Sequence, residues 1–148
     1  MNIAVGCDEA AYQLKEIVKQ HLIEKGYDVT DVGVYNTDPS LYPDTAEKLC
    51  KEIIEKRCEK GVLMCGTGIG MAITANKMPG IRAAVGHDLF SIERSRKSND
   101  CQVLCMGARI IAPQNALMLL DHWLDCNFAG GGSTAKVKRI NEIDRSYR

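Results

Sequence analysis

The chain has 148 residues, 45% hydrophobic and 26% charged, which is the balance of a globular domain able to bury a core without metals or disulfides. Lys plus Arg and Asp plus Glu number 19 each, so net charge gives no reason to expect a nucleic-acid or membrane partner. The seven cysteines form no CxxC pair and no Cys/His cluster at zinc spacing, and no apolar run nears the ~18 residues of a membrane span, so a reducing cytoplasm is expected.

Elements follow one another from the first residues. Met1 to Asp8 has no basic region and meets a charge by Asp8, so it reads as structure rather than as a signal peptide, with Ile3 to Cys7 a buried strand. Leu14, Ile17, Val18 and Leu22 share one face of a helix closed by Gly26, and Tyr27 to Val32 is a weaker, alternating strand. A second helix carries Ala46, Leu49, Cys50, Ile53 and Ile54 on one face, with Asp44 expected to cap its start and Gly61 its end. Gly61 to Met64 is a strand, followed by the glycine-rich run Cys65 to Gly70 and an apolar helix ending near Asn76-Lys77. Ile81 to Val85 and Gln102 to Met106 read as further strands. Ala116, Leu119, Leu120, Trp123 and Leu124 form a third helical face. Phe128 to Thr134 is the one flexible break, and a basic helix starts at about Ala135, packed on the domain or on a neighbouring subunit.

Repeated strand–helix alternation, with no internal repeat or linker, implies one α/β domain over residues 1–148. Its architecture is a five-stranded parallel sheet with helices on both sides and a C-terminal helix. Ligands of such sheets bind beyond the carboxyl ends of the strands. That restricts the search to Asp8, Cys65 to Gly70, the surroundings of His87, and Gly107 to Arg109.

Cys65-Gly66-Thr67-Gly68-Ile69-Gly70 is the sharpest signal. Three glycines in five positions permit close backbone approach, and the amides opening the next helix point at whatever occupies the loop. Such a loop suits a phosphate or a developing oxyanion, and a cysteine there should have its thiolate favoured. The plainer reading is a tight strand–helix turn after a buried cysteine. The run is neither a dinucleotide fingerprint nor a P-loop, so no nucleotide cofactor is expected.

These residues also carry a resemblance. Gly6-Cys7-Asp8, Tyr42-Pro43-Asp44, Cys65 to Gly70, Ala75-Asn76-Lys77, Gly80 to Val85, Ser98-Asn99-Asp100 and Met106 to Arg109 stand in the order found in one family. Over nearly its whole length the sequence resembles the type B ribose-5-phosphate isomerases and galactose-6-phosphate isomerases. The resemblance implies a Rossmann-like αβα fold, a homodimer or tetramer with shared active sites, no metal and no cofactor. It implies proton transfer between carbons through an enediolate, with Cys65 as base, Gly66, Gly68, Ile69 and Gly70 in the oxyanion cradle, and Thr67 moving protons between oxygens. Asp8 and Asn99 would contact the sugar, with Tyr42 nearby, and Arg109 would contact the phosphate.

The sequence departs from the ribose-phosphate pattern at several places. Glu9 and Ser98 stand where histidines are usual, the second of which opens the furanose ring. Gly132 and Ser133 fall in a C-terminal phosphate motif in which Lys136 alone keeps a positive charge. A changed substrate accounts for this: a four-carbon sugar phosphorylated at O4 cannot close a furanose ring and needs no ring-opening acid. The His87-Asp88, Ser91-x-Glu93-Arg94 and Ser98-Asn99 run resembles the erythrulose-phosphate isomerase branch. His87 is a candidate replacement acid. The rival readings are a non-catalytic sugar-phosphate-binding partner subunit and a flavodoxin-like redox protein built on the same loop.

Overall fold

The computed structural model describes the whole chain, Met1–Arg148. Five strands, β1 (Asn2–Cys7), β2 (Asp28–Asp31), β3 (Lys60–Cys65), β4 (Ala83–Val85) and β5 (Val103–Gly107), form one parallel sheet in the order β2-β1-β3-β5-β4. Helices α1 (Tyr12–Glu24), α2 (Tyr42–Ile54), α3 (Ile69–Ala75), α4 (Leu89–Lys97), α5 (Pro113–Asp125) and α6 (Thr134–Ser146) connect and cover it. This is the parallel sheet that the strand–helix alternation implies, in the Rossmann-like arrangement that the resemblance implies.

Strand periodicity divides the core into two layers. Ile3, Val5 and Cys7 of β1, Val62 and Met64 of β3, and Leu104 and Met106 of β5 point to the face covered by α1, α4 and α5, where Trp123 is fully buried. The alternate residues Ala4, Leu63, Cys65, Val103 and Cys105 point to α2 and α3. All seven cysteines are free and buried. No helix is long and apolar enough to cross a membrane.

Three expectations need correction. Gly61 does not end a helix; it lies inside β3, where a side chain would overlap Leu49, and Lys56 takes the left-handed position (φ 61°) after α2. Asp44 makes no cap hydrogen bond, since α2 starts at Leu41-Tyr42 with Pro43 in its first turn, and Asp44 only complements the helix dipole there. Ile17 and Ile54, assigned to buried faces, are exposed at 39% and 41%. Gly26, by contrast, follows α1 at φ +91° as a helix-ending glycine should.

Lys15 is fully buried on α1, where its ammonium donates to both carboxylate oxygens of Asp31 (3.0 and 2.9 Å) and to the Val34 carbonyl (2.6 Å). It ties α1 to the segment leaving β2. No periodicity argument reveals such a residue, because a lysine on an apolar face reads as a surface side chain.

Candidate active site

The strand order reverses between β1 and β3: the chain passes from β1 outward to β2, then returns to the other side of β1. The crevice at that reversal is where such sheets bind ligands. Asp8 follows β1 and Cys65 closes β3, and the Asp8 amide donates to the Met64 carbonyl at 3.1 Å. The two residues therefore stand side by side at the carboxyl edge.

The Cys65–Gly70 loop is held by backbone. The Ala108 and Arg109 amides donate to the carbonyls of Cys65 (2.8 Å) and Gly66 (3.0 Å). Gly68 has φ +81°, and a Cβ there would lie 3.0 Å from the Met106 carbonyl carbon; one on Gly107 would lie 2.6 Å from Thr67 backbone. Gly68 is thus required by contact with the β5 backbone, and Gly107 by contact with the loop. Within the turn, the Gly68 amide donates to the Cys65 sulfur at 3.1 Å, and the Ile69 amide donates to the Thr67 hydroxyl at 3.2 Å. The amides of Gly66, Thr67 and Gly70 have no acceptor within the chain. Cys65 is 5% exposed, a buried member of the layer under α2 and α3 at the carboxyl end of β3.

Two side chains crowd this loop. The Tyr42 hydroxyl, at the start of α2, lies 2.5 Å from where a Gly70 Cβ would be, and the Arg109 guanidinium lies 3.2 Å from the corresponding point on Gly66. Asp8 turns one oxygen toward the Ala10 and Ala11 amides (3.0 and 3.2 Å), while burial and the neighbouring Glu9 charge push its carboxyl above the ordinary value. The Glu9 carboxylate accepts the Ser40 hydroxyl at 2.8 Å, which holds it below the usual range and turns it toward the loop after β2. That loop walls a recess of about 310 Å³ with Thr45 and Lys48. None of the chain's recesses includes Cys65.

His87 stands at the same edge, beyond β4, where its Nε2 accepts the Gly107 amide at 2.8 Å. Burial pushes the imidazole below its ordinary value, so it is neutral near pH 7 with its proton on Nδ1. As a replacement acid it has no proton to give from Nε2.

Ser98, Asn99 and Lys136 lie elsewhere. Helix α4 runs back from the carboxyl edge, and β5 begins at Val103, paired with Gly61 near the start of β3, whereas Cys65 pairs with Gly107. Ser98 and Asn99 are thus at the opposite edge, about 13 Å or more along the sheet at ~3.3 Å per residue. There the Ser98 hydroxyl accepts from Arg94 (3.1 Å), the Asn99 side chain donates to the Arg94 carbonyl (3.1 Å), and the Asn99 carbonyl accepts from Arg82 (3.0 Å). Helix α6 docks on that edge too, through Arg82 to Asn141 (2.9 Å) and the Gly80 amide to Asp144 (2.8 Å), with Lys136 exposed in its first turns. One chain therefore brings together Asp8, Glu9, Tyr42, Cys65 to Gly70, His87 and Arg109, and holds Ser98, Asn99 and Lys136 apart from them.

Chemically, the carboxyl edge offers a sulfur beside amides with no internal acceptor, flanked by a carboxylate, a phenol and a guanidinium. Such a constellation can take a proton from a carbon acid and hold the resulting oxyanion.

Comparison with known proteins places the chain in a family. A sequence profile of the Ribose/Galactose Isomerase family matches residues 3–143. A ribose-5-P isomerase B of Listeria innocua is 51% identical over the whole of both chains. A D-erythrulose-4-phosphate isomerase of Pectobacterium atrosepticum is 47% identical over all of this chain and 98% of its own. The solved structure of Clostridium thermocellum ribose-5-phosphate isomerase B, 37% identical, superposes with a TM-score of 0.98 over 100% of both chains. With a fold, a glycine loop and full-length relatives all in agreement, the chain belongs to the ribose/galactose isomerase family.

Proposed function

We propose that this protein interconverts the aldose and ketose forms of a small phosphorylated sugar through an enediolate, with Cys65 as the base. The observation that carries the reading is the loop itself, a sulfur and three amides without internal acceptors in one short turn at the strand-order reversal. In the ketose-to-aldose direction the Cys65 thiolate removes a proton from C1, and the C1–H electrons form the C1–C2 double bond as charge moves to the carbonyl oxygen. The amides of Gly66, Thr67 and Gly70 hold that oxyanion. The Cys65 thiol then returns its proton to C2, while the Thr67 hydroxyl moves a proton between O1 and O2. Asp8 orients the sugar hydroxyls beside Tyr42, and Arg109 meets the phosphate.

The substrate reading favours a tetrulose 4-phosphate. Relatives named for a pentose and a tetrose substrate are 51% and 47% identical to this chain, so overall similarity does not separate them. Ser98 supports the tetrose, because an aliphatic hydroxyl is a poor acid for opening a furanose ring, and a 4-phosphorylated tetrulose has no such ring. Assayed with four-, five- and six-carbon sugar phosphates, the protein should show a kcat/KM for the tetrose phosphate at least ~10-fold above that for ribose 5-phosphate. Efficient turnover of ribose 5-phosphate with none of the tetrose phosphate overturns the preference.

The working unit is a homodimer in a reducing cytoplasm. Its second copy supplies Ser98, Asn99 and Lys136 to the Cys65 edge, which the single chain leaves without an enclosed pocket. Ile69 and Ile73 on α3, and Ile140 and Ile143 on α6, are exposed and offer apolar surface for that contact. Mixing the Cys65→Ala and Asn99→Ala chains, each poorly active alone, should restore roughly a quarter of wild-type activity through mixed dimers with one intact site. No recovery after verified subunit exchange would confine the site to one chain.

A further inference from the structure

Away from Cys65, on the α1/α4/α5 side of the sheet, three metal-ligating side chains of different types converge. His122 Nε2 lies 3.3 Å from Glu93 Oε1 and 3.6 Å from Cys126 Sγ, and the three atoms lie within 4.8 Å of one another. A tetrahedral zinc ion at ~2.0–2.1 Å from nitrogen and oxygen and ~2.3 Å from sulfur requires edges of about 3.3 Å between N and O and about 3.6 Å between N and S. Two edges are already at those lengths. The third closes by a small movement of the Glu93 side chain.

We propose that Glu93, His122 and Cys126 form a zinc-class divalent metal site clamping α4 to α5. Soft thiolate, imidazole and carboxylate together suit zinc rather than the hard cations calcium and magnesium, and three protein ligands leave the fourth position to water. His122 and Cys126 are one helical turn apart at the end of α5, and Glu93 faces them from α4. The supporting helices are fixed: the Trp123 indole donates to Ser95 at 3.1 Å, and Arg96 donates to the Cys101 and Cys126 carbonyls at 2.8 and 3.4 Å. Without an ion, Glu93 is served by Lys97 at 3.1 Å and by Arg94 at 3.7 Å. Lys97 is 38% exposed and can swing into water when a cation replaces it. The site needs nothing from the isomerase chemistry and stands whether or not that assignment does.

The test is titration of the full chain, stripped with a chelator, with zinc by calorimetry and with cobalt by absorbance. One ion per chain should bind, and cobalt should produce thiolate-to-metal charge-transfer absorption. That absorption should persist in Cys65→Ala and vanish in Cys126→Ser. Zinc affinity should fall at least ~10-fold in His122→Ala and Glu93→Gln, two partly exposed positions whose replacement leaves the core intact. An absence of saturable binding, binding indifferent to His122→Ala, or absorption lost with Cys65 instead of Cys126 each overturns the proposal. In those cases the trio is an ordinary histidine–carboxylate hydrogen bond beside a thiol.

Discussion

Alanine in place of Cys65 should lower turnover about 10²- to 10⁴-fold, the span a positioned general base supplies, while leaving affinity for a non-reacting sugar-phosphate analogue within a few-fold. The sulfur is the only group in the loop able to take a carbon-bound proton: Thr67 is a hydroxyl already accepting the Ile69 amide, and His87 faces Gly107. Removing it frees the Gly68 amide, but the loop backbone stays held by the Ala108 and Arg109 amides and by the strand neighbours of Cys65. Steady-state kinetics on the substrate panel, with calorimetry on the analogue, measures both quantities. Unchanged turnover would take the role of base away from Cys65, and absence of turnover in the wild-type chain itself would leave a sugar-phosphate-binding subunit. An affinity loss equal to the loss in kcat/KM would make Cys65 a binding contact instead.

The second large effect is expected at Gly68. Its φ of +81° costs a residue bearing a Cβ ~1–2 kcal/mol, and that atom would press on the Met106 and Cys105 backbone at 3.0 to 3.2 Å. Main chain inside a central strand cannot rotate aside, so the loop must lift off β5. The Gly68 amide then leaves the sulfur, and the unengaged amides around it lose their aim. Gly68→Ala should therefore lower both the melting temperature and kcat, the latter by about 10²-fold or more, as loss of an oxyanion donor does. Gly26→Ala is the control: its φ is +91°, but nothing lies within 4 Å of the added carbon, so it should cost stability alone. Equal losses of kcat in the two variants would refute a catalytic role for the loop's placement.

Much of this architecture is legible in the residues. Short continuous apolar runs in β1, β3 and β5 mark strands buried on both faces, and the helical faces between them force parallel crossovers. The glycine loop is legible because its conformation is chemically restrictive. Gly61 was misread because a glycine signal cannot distinguish a backbone requirement from a spatial one: here it is Leu49 that excludes a side chain, while Lys56 adopts the left-handed turn. Asp44 was misread because proline in the first helical turn and an acidic residue beside it give the same signature with or without a cap. The Glu93–His122–Cys126 group escapes linear reading altogether. Only the His122-x-x-x-Cys126 spacing is local, and its third member arrives from another helix by packing.

The separation of Cys65 from Ser98, Asn99 and Lys136 on opposite rims has an evolutionary consequence under the proposed dimer. Each polypeptide owns two half-tools, one used at home and one lent abroad. After gene duplication, one copy can discard its sulfur and remain indispensable through the rim it offers its neighbour, whose own thiol still performs the reaction. Division of labour between unequal chains is thus a short step from this design, and specificity can be retuned from the lending side without touching the reactive loop.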